Sequence, residues 1–190
     1  GNPISGSAEA VDRFDTTLSH LLAYHNETVD SLTSLVTDEP DFAMGQILAA
    51  YLGLTSTDTN ELAAARSAVN HLDTLTLNER EAAHRTVLTT WLAGDWHGAA
   101  SRLDDLLIRW PADLLGLVAG HLLDFFIGDA ANLRDRVGRS LPTFDAAHPD
   151  IGFVHGMYAF GLEESGHYQL AEQHGLAALD RNPDDVWGVH

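Results

Sequence analysis

Two histidines, His84 and His190, are the residues whose spacing first points to chemistry, among 11 histidines in 190 residues. An imidazole exchanges protons near neutral pH and ligates metal ions, so histidines that converge are candidate acid–base groups or ligands. Glu81 and Glu163 are the carboxylates that the repeat spacing of the chain places beside them. These four residues could line a small-molecule site, or a metal site if three or four ligands met about 2.0–2.2 Å from the ion.

The sequence motifs that usually accompany such sites are missing from the chain. It has no Cys, no H-E-x-x-H metal motif and no pair of histidines four residues apart on one helix. It has neither a G-x-S-x-G nucleophile turn nor a phosphate-binding or dinucleotide fingerprint. Every basic residue is Arg, so lysine Schiff bases and lysine general bases are excluded. We therefore predict no metal and no cofactor, assign no catalytic residue and leave open whether the chain is an enzyme.

The elements that must position these residues are repeated helical hairpins. Three segments share one pattern, an apolar helix, a Gly, a second helix and a turn with Pro, and they occupy residues 80–113, 114–150 and 152–185. The turn glycines are Gly94, Gly128 and Gly166, which lie 34 and 38 residues apart. The terminal prolines are Pro111, Pro149 and Pro183, which lie 38 and 34 residues apart. A helix–turn–helix period near 34 is that of the tetratricopeptide repeat (TPR), so residues 80–185 are predicted as three TPR-like repeats.

The fold class that follows is all-α, a right-handed TPR-like superhelix of stacked antiparallel helical hairpins. Each turn Gly is expected to end its first helix with a positive φ. Pro142 is expected to end the second helix of the middle repeat early. The small residues Ala99 and Ala171 are predicted to lie where the two helices of a repeat approach each other most closely. Two aromatic residues follow a turn Gly by two positions and are predicted as packing anchors; they are Trp96 and Tyr168.

Outside the three repeats the pattern is weaker. Residues 9–79 are interpreted as divergent TPR-like hairpins, giving four to five hairpins in all and no strand. Thr59 or Asn60 is predicted to cap a helix whose apolar stripe is Leu62, Ala65, Val69 and Leu72. Residues 1–8 are interpreted as a tag remnant or a disordered N-terminus. Residues 186–190 are interpreted as the start of a further, truncated helix that Asp184 or Asp185 caps.

The repeat register also predicts which side chains line the concave groove of a TPR superhelix. Groove positions are the second, fifth, ninth, twelfth and thirteenth of each first helix, and the candidate groove residues at these positions are Glu81, His84, Trp91, Phe125, Phe153, Glu163, Trp187 and His190. This groove is aromatic and lacks cationic residues. Of the other histidines, His121 is expected to point partly inward, His155 is predicted in the core and His174 on the surface.

Several short segments together resemble one family, tetratricopeptide repeat protein 38 and its bacterial relatives. They are "PDFAMG", "NEREAAH", "AGDWHGA", "GHLLDFFIGD", "GMYAFGLEESGHYQLAE" and "NPDDVWGVH". The resemblance implies an all-α TPR superhelix without a settled biochemical activity, and His84 and His121 coincide with family histidines. It also implies that family members continue past the Trp-x-x-His step of "DDVWGVH", so that this chain corresponds to an N-terminal half.

Charge and composition limit the classes of partner. The formal net charge is −18, with 28 acidic and 10 basic residues, which disfavours nucleic acid and anionic membrane surfaces. No apolar run approaches the roughly 20 residues of a membrane span, and the N-terminus has no signal-peptide pattern. We therefore expect a soluble, cytoplasmic protein.

Two functional hypotheses remain. In the first, the chain is a TPR scaffold that binds a peptide or protein partner through the aromatic groove. In the second, it is an enzyme or a small-molecule or metal-binding protein that uses the groove histidines, with a C-terminal half completing the site. Self-association through the last hairpin is a further expectation, because a truncated repeat array exposes an apolar edge.

Overall fold

The structure is a computed structural model that describes residues 2–56, 58–183 and 185–190. Within these residues it contains ten α-helices, one short 3₁₀ helix and no strand, which confirms the all-α prediction. The helices are α1 Ala8–Leu22, α2 Glu27–Asp38, α3 Ala43–Thr55, α4 Glu61–Leu72, α5 Glu79–Leu92, α6 Trp96–Arg109, α7 Leu114–Ile127, α8 Ala130–Ser140, α9 Ile151–Glu164 and α10 Tyr168–Arg181. The 3₁₀ helix is Leu141–Thr143. No helix in the described part of the chain is long and apolar enough to cross a membrane.

The chain divides into two compact units. Unit 1 contains Gly1–Leu21 and His25–Trp110, and unit 2 contains Leu22–Tyr24 and Pro111–His190. In unit 1, α3 packs on α2, α4 and α5, and α5 packs on α4 and α6. In unit 2, α7 pairs with α8, and α9 lies against both α8 and α10.

Local sequence signals explain where the helices begin. Asn78 forms a capping box at the start of α5, because its side chain accepts from the backbone N–H of Glu81 while the Glu81 carboxylate accepts from the N–H of Asn78. Aspartates cap three later helices by accepting from the N–H three residues on. These caps are Asp95 for α6, Asp113 for α7 and Asp129 for α8. Such bonds satisfy N–H groups that the helix itself leaves without a partner.

The helices end where the turn residues predict. Gly94, Gly128 and Gly166 have φ values of 86°, 72° and 81°, which confirms the expected left-handed turn between the helices of each repeat. Helix α8 ends at Ser140, immediately before the 3₁₀ helix that contains Pro142, so this prediction is also confirmed. Ala99 and Ala171 are buried as expected.

Three details of the sequence reading are wrong. Asn60 precedes α4, but its side chain does not cap the helix and instead donates to Asp58 Oδ1 at 2.9 Å. Leu62, expected in the buried stripe of α4, is 39% exposed, although Ala65, Val69 and Leu72 are buried. The packing anchor expected at Tyr168 is 67% exposed, whereas Trp96, although 38% exposed, does pack with its ring 5.9 Å from that of Trp91.

The two ends of the chain make specific contacts within their units. Ser5 donates its backbone N–H to Glu81 Oε1 at 2.9 Å in unit 1. In unit 2, residues 186–188 form a turn, and Asp185 Oδ1 accepts from the N–H of Gly188 at 2.6 Å. This is the bond of a helix cap, as predicted for Asp185, whereas the alternative cap Asp184 lies outside the described residues. That a longer helix begins here stays a prediction.

Candidate functional site

The predicted groove residues of unit 1 lie inside its core. His84 is fully buried, and its Nδ1 lies 3.0 Å from the hydroxyl of Tyr51 on α3. The rings of Tyr51 and His84 meet edge to face at 5.6 Å. A buried imidazole needs such a polar partner, because an unbonded one would lose its hydration without compensation. His84 therefore positions α5 against α3.

Glu81 and Trp91 have similar structural surroundings. Glu81 is fully buried, and besides the capping box its Oε1 accepts from the N–H of Ser5 at 2.9 Å and its Oε2 lies 3.1 Å from the Ser5 hydroxyl. Trp91 is 2% exposed and packs between the rings of Tyr51 and Trp96, at 6.4 and 5.9 Å. The three predicted residues of unit 1 thus have their side chains against the protein rather than in an open groove.

In unit 2 the structure brings three of the predicted residues together. Glu163, Trp187 and His190 line one cleft between α9, α10 and the C-terminal turn, with a volume of about 230 Å³. We call it the α9–α10 cleft. Its lining residues are Ala159, Phe160, Glu163, Tyr168, Ala171, Glu172, Gly175, Leu176, Leu179, Trp187, Gly188 and His190. It is a mostly apolar concave site with a few polar groups, the usual composition of a binding site.

Phe160 is the centre of the aromatic wall of the cleft. Its ring lies 4.7 Å from that of Trp187, 5.0 Å from that of His190 and 5.7 Å from that of Phe125. These edge and tilted arrangements are the ones that aromatic rings prefer, and they hold the C-terminal turn against α9. Phe125 is 46% exposed but does not line the cleft, and Phe153 is half-buried elsewhere on α9.

The close packing of the turn on α10 depends on small residues. A methyl group added at Gly175 would lie 3.1 Å from the carbonyl oxygen of Gly188, and one added at Gly188 would lie 3.1 Å from the Cβ of Ala178. The backbone of the turn can therefore approach α10 directly. This contact places the side chains of Trp187 and His190 beside Phe160.

The charges at the cleft are acidic. Glu163 is half-buried and Glu172 is exposed, and neither carboxylate is bonded to a described residue. No Arg lines the cleft. A ligand that enters it consequently meets aromatic and aliphatic surface together with negative charge.

His121 lies behind the aromatic wall, on α7. It is fully buried, its ring is 4.8 Å from that of Trp187 and 5.7 Å from that of Phe160, and neither ring nitrogen bonds to a described residue. Burial, and secondarily the positive charge of Arg136, lowers the pKa of His121 to about 3. The imidazole is therefore neutral at physiological pH. The expectation that His121 points inward is confirmed.

The pKa values of one tyrosine and one aspartate beside this region, Tyr24 and Asp185, are also shifted. Burial raises the pKa of Asp185, although the N–H groups of Gly188 and Trp187 oppose the shift. Burial and then the neighbouring Asp185 raise the pKa of Tyr24 to about 12. Tyr24 has a positive φ of 54°, and its ring meets that of Trp187 at 6.0 Å. The Tyr24 hydroxyl is therefore protonated and uncharged at physiological pH.

A second pair of histidines was not expected from the sequence. His155 on α9 and His174 on α10 face each other, with their Nδ1 atoms 2.8 Å apart and their rings stacked at 5.0 Å. His155 was predicted in the core and His174 on the surface, and both predictions are wrong. Each ring is half-buried, because the two side chains pack against each other. In the described part of the chain, no group of three or more His, Asp or Glu residues is arranged to hold a metal ion.

The sequence reading missed Phe160, Tyr168 and Leu176 as cleft residues. Phe160 could have been found, because it occupies the ninth position of the repeat that begins at Gly152, and ninth positions belong to the predicted groove. Tyr168 and Leu176 lie on the second helix of the hairpin, which the groove register does not include.

Comparison with known proteins adds no further assignment. No family model matches the sequence, and no solved structure matches the chain.

Proposed function

We propose that this chain is a scaffold of stacked TPR-like hairpins that binds a protein partner by a peptide segment seated in the α9–α10 cleft. The observation that carries the proposal is the meeting of Glu163, Trp187 and His190 in one apolar cleft. These three residues are separated in sequence but share groove positions in the repeat register. Large aromatic residues in a concave, partly buried site are the side chains that contribute most to binding a partner.

Apolar side chains continue beyond the cleft onto the surface of unit 2. Tyr168 is 67% exposed and Leu176 is 59% exposed on α10, and Val186 and Val189 are 38% and 65% exposed in the C-terminal turn. A bound segment would bury these side chains and remove apolar area from water. The resulting free energy is roughly 25 cal/mol for each Å² buried.

The charge of the cleft selects among peptide segments. The carboxylates of Glu163 and Glu172 line the cleft and no Arg does, on a chain of net charge −18. The preferred segment therefore carries an apolar anchor next to basic residues. An acidic segment would be repelled, and repulsion of this kind gives specificity as well as affinity.

The proposal is tested by selecting peptides from a random display library on the 190-residue chain and measuring their affinities by isothermal titration calorimetry. We expect selected peptides to combine aliphatic or aromatic residues with Arg or Lys. Leu176→Asp should weaken their binding at least tenfold, because it places a charge at the apolar wall. Ile108→Asp is the matched control, since Ile108 is 76% exposed on α6 of unit 1 and should leave the affinity unchanged.

Two results would contradict the proposal. One is a selection that yields acidic peptides without an apolar anchor. The other is a set of peptides whose affinity is the same for the Leu176→Asp variant as for the unchanged chain, with both proteins equally helical by circular dichroism.

A further inference from the structure

The α9–α10 cleft combines aromatic rings with carboxylates that lack a cationic partner. Phe160, Tyr168 and Trp187 contribute three aromatic side chains to its lining. The face of an aromatic ring carries partial negative charge, so it attracts a cation within about 6 Å of the ring centre, and Trp does so most strongly. Rings and carboxylates that face one space therefore favour the same kind of ligand group.

The arginines of unit 2 bond to other groups. Arg136 pairs with Asp124 and Arg134 with Asp135. Arg181 donates to the carbonyl oxygen of Ala146 at 2.9 Å, and none of the arginines lines the cleft. No arginine is therefore placed to neutralise Glu163 and Glu172 within the cleft, and a cationic ligand group would do so.

The rest of the lining limits which cation fits. Ala159, Ala171, Leu176 and Leu179 offer no hydrogen-bond acceptor from their side chains. A primary ammonium has three N–H donors, and any of them that faced this aliphatic part of the lining, away from Glu163 and Glu172, would lose its water without a replacement. An N-methylated ammonium has few or no N–H donors and presents methyl groups that pack on aromatic and aliphatic walls.

We propose that the α9–α10 cleft binds an N-methylated ammonium group, with Trp187, Phe160 and Tyr168 contacting the methyl groups and Glu163 supplying the opposite charge. The inference rests on the proposed function in one respect, because it identifies the anchor of the bound segment as a methylated lysine side chain. The same chemistry occurs in free choline, and the two sources are distinguished by the measurement.

The first arm uses choline and its neutral isostere 3,3-dimethylbutan-1-ol, titrated into the 190-residue chain with binding followed by calorimetry and tryptophan fluorescence. We expect choline to bind at least tenfold more tightly than the alcohol, because the two differ in charge and not in shape. Glu163→Gln should remove most of this difference. Glu164→Gln is the matched control, since Glu164 is the exposed neighbour that does not line the cleft and its substitution should change nothing.

The second arm uses a peptide obtained by the display selection, synthesised with trimethyllysine, lysine or norleucine at its basic position. If the trimethyllysine peptide binds most tightly and loses its affinity for the Trp187→Leu variant, the ammonium group recognised by the cleft belongs to a methylated lysine of a protein partner. Binding of choline when none of the three peptides binds supports the ammonium site but contradicts the peptide-scaffold function.

The inference is overturned, and the proposed function retained, if the norleucine peptide binds as tightly as the trimethyllysine peptide. Equal affinity for choline and the neutral alcohol would likewise overturn it, because the cleft would then select by shape and apolarity alone. Failure of every peptide and of both small molecules to bind would overturn both proposals.

Discussion

Arg136 and Asp124 form a fully buried ion pair between α8 and α7. Arg136 Nε donates to Asp124 Oδ2 at 2.7 Å and Nη2 donates to Oδ1 at 3.0 Å, and neither side chain is exposed. Gly120 leaves room for the pair, since a methyl group at this position would lie 2.6 Å from Arg136 Cδ. Two charges in a low-dielectric interior are tolerated only because each satisfies the other.

Asp124→Asn should therefore destabilise unit 2 strongly. The substitution removes the negative charge but leaves the guanidinium buried, and breaking a buried pair in this way costs about 3–5 kcal/mol of the free energy of unfolding. Urea denaturation followed by circular dichroism measures the change.

Asp135→Asn is the comparison within the same region. Asp135 pairs with Arg134 at the surface, where solvent screens the charges, so we expect no measurable change in unfolding. Equal effects of the two substitutions would show that burial of the Arg136–Asp124 pair does not control its contribution.

The lowered pKa of His121 should make the folded chain less stable in acid. Its pKa is about 3 in the folded chain and 6.5 in the unfolded chain, so between these values the unfolded state binds the additional proton. Stability from this residue is fully present above pH 6.5 and decreases as the pH falls toward 3, at up to about 1.4 kcal/mol per pH unit. His121→Leu should flatten this slope, measured by urea denaturation at pH 7, 6, 5 and 4.

The same variant should not lose stability at pH 7. Because neither ring nitrogen of His121 bonds to a described residue, an apolar side chain of similar volume removes an uncompensated polar group. A steep acid slope that persists in His121→Leu would assign the effect to other groups.

Helix ends and turns could be predicted because they depend on neighbours in sequence. The positive φ at Gly128 and the end of α8 before Pro142 follow from backbone sterics within a few residues. The repeat register also placed Glu163 and Trp187 on one groove, and both line the α9–α10 cleft. The periodic pattern was sufficient for these two residues but not for Tyr168 and Leu176, which line the cleft from the second helix of the hairpin.

The environment of His84 could not be predicted in the same way. Its partner Tyr51 is 33 residues away, and the Ser5 that covers Glu81 is 76 residues from it. The position of a residue in the repeat predicts the face of the helix on which it lies. It does not predict which element, distant in sequence, packs on that face. Both covering residues come from residues 1–79, the part of the chain for which the repeat pattern was weakest.

Gly161 lies at a close approach of α9 to α8. A Cβ there would lie 2.7 Å from Arg134 Cα and 2.9 Å from the Leu133 carbonyl oxygen, both backbone atoms. Gly161→Ala should therefore force the helices apart and cost about 1–3 kcal/mol, despite the better helix propensity of Ala. Thermal unfolding of this variant measures the cost. An unchanged melting temperature would show that α8 and α9 can separate without loss of packing.

Because His155 and His174 share a hydrogen bond, we expect protonation of one imidazole to depend on protonation of the other. With Nδ1 facing Nδ1, one ring donates and the other accepts, so a second proton on these atoms must break the contact. The pKa of His155 is lowered by burial and then by Arg181, and that of His174 by burial and then by His155. The pair contributes stability above pH 6.5 that is lost as the pH falls, because the unfolded imidazoles protonate first.

Two variants separate these causes in an NMR titration of the ring protons. His155→Ala should raise the pKa of His174, because it removes both a covering ring and a neighbouring charge. Arg181→Gln should raise the pKa of His155 and affect His174 less, because Arg181 contributes only to the former. If the pKa of His174 were the same with and without His155, the two rings would titrate independently, and the contact between α9 and α10 would not link hairpin stability to pH.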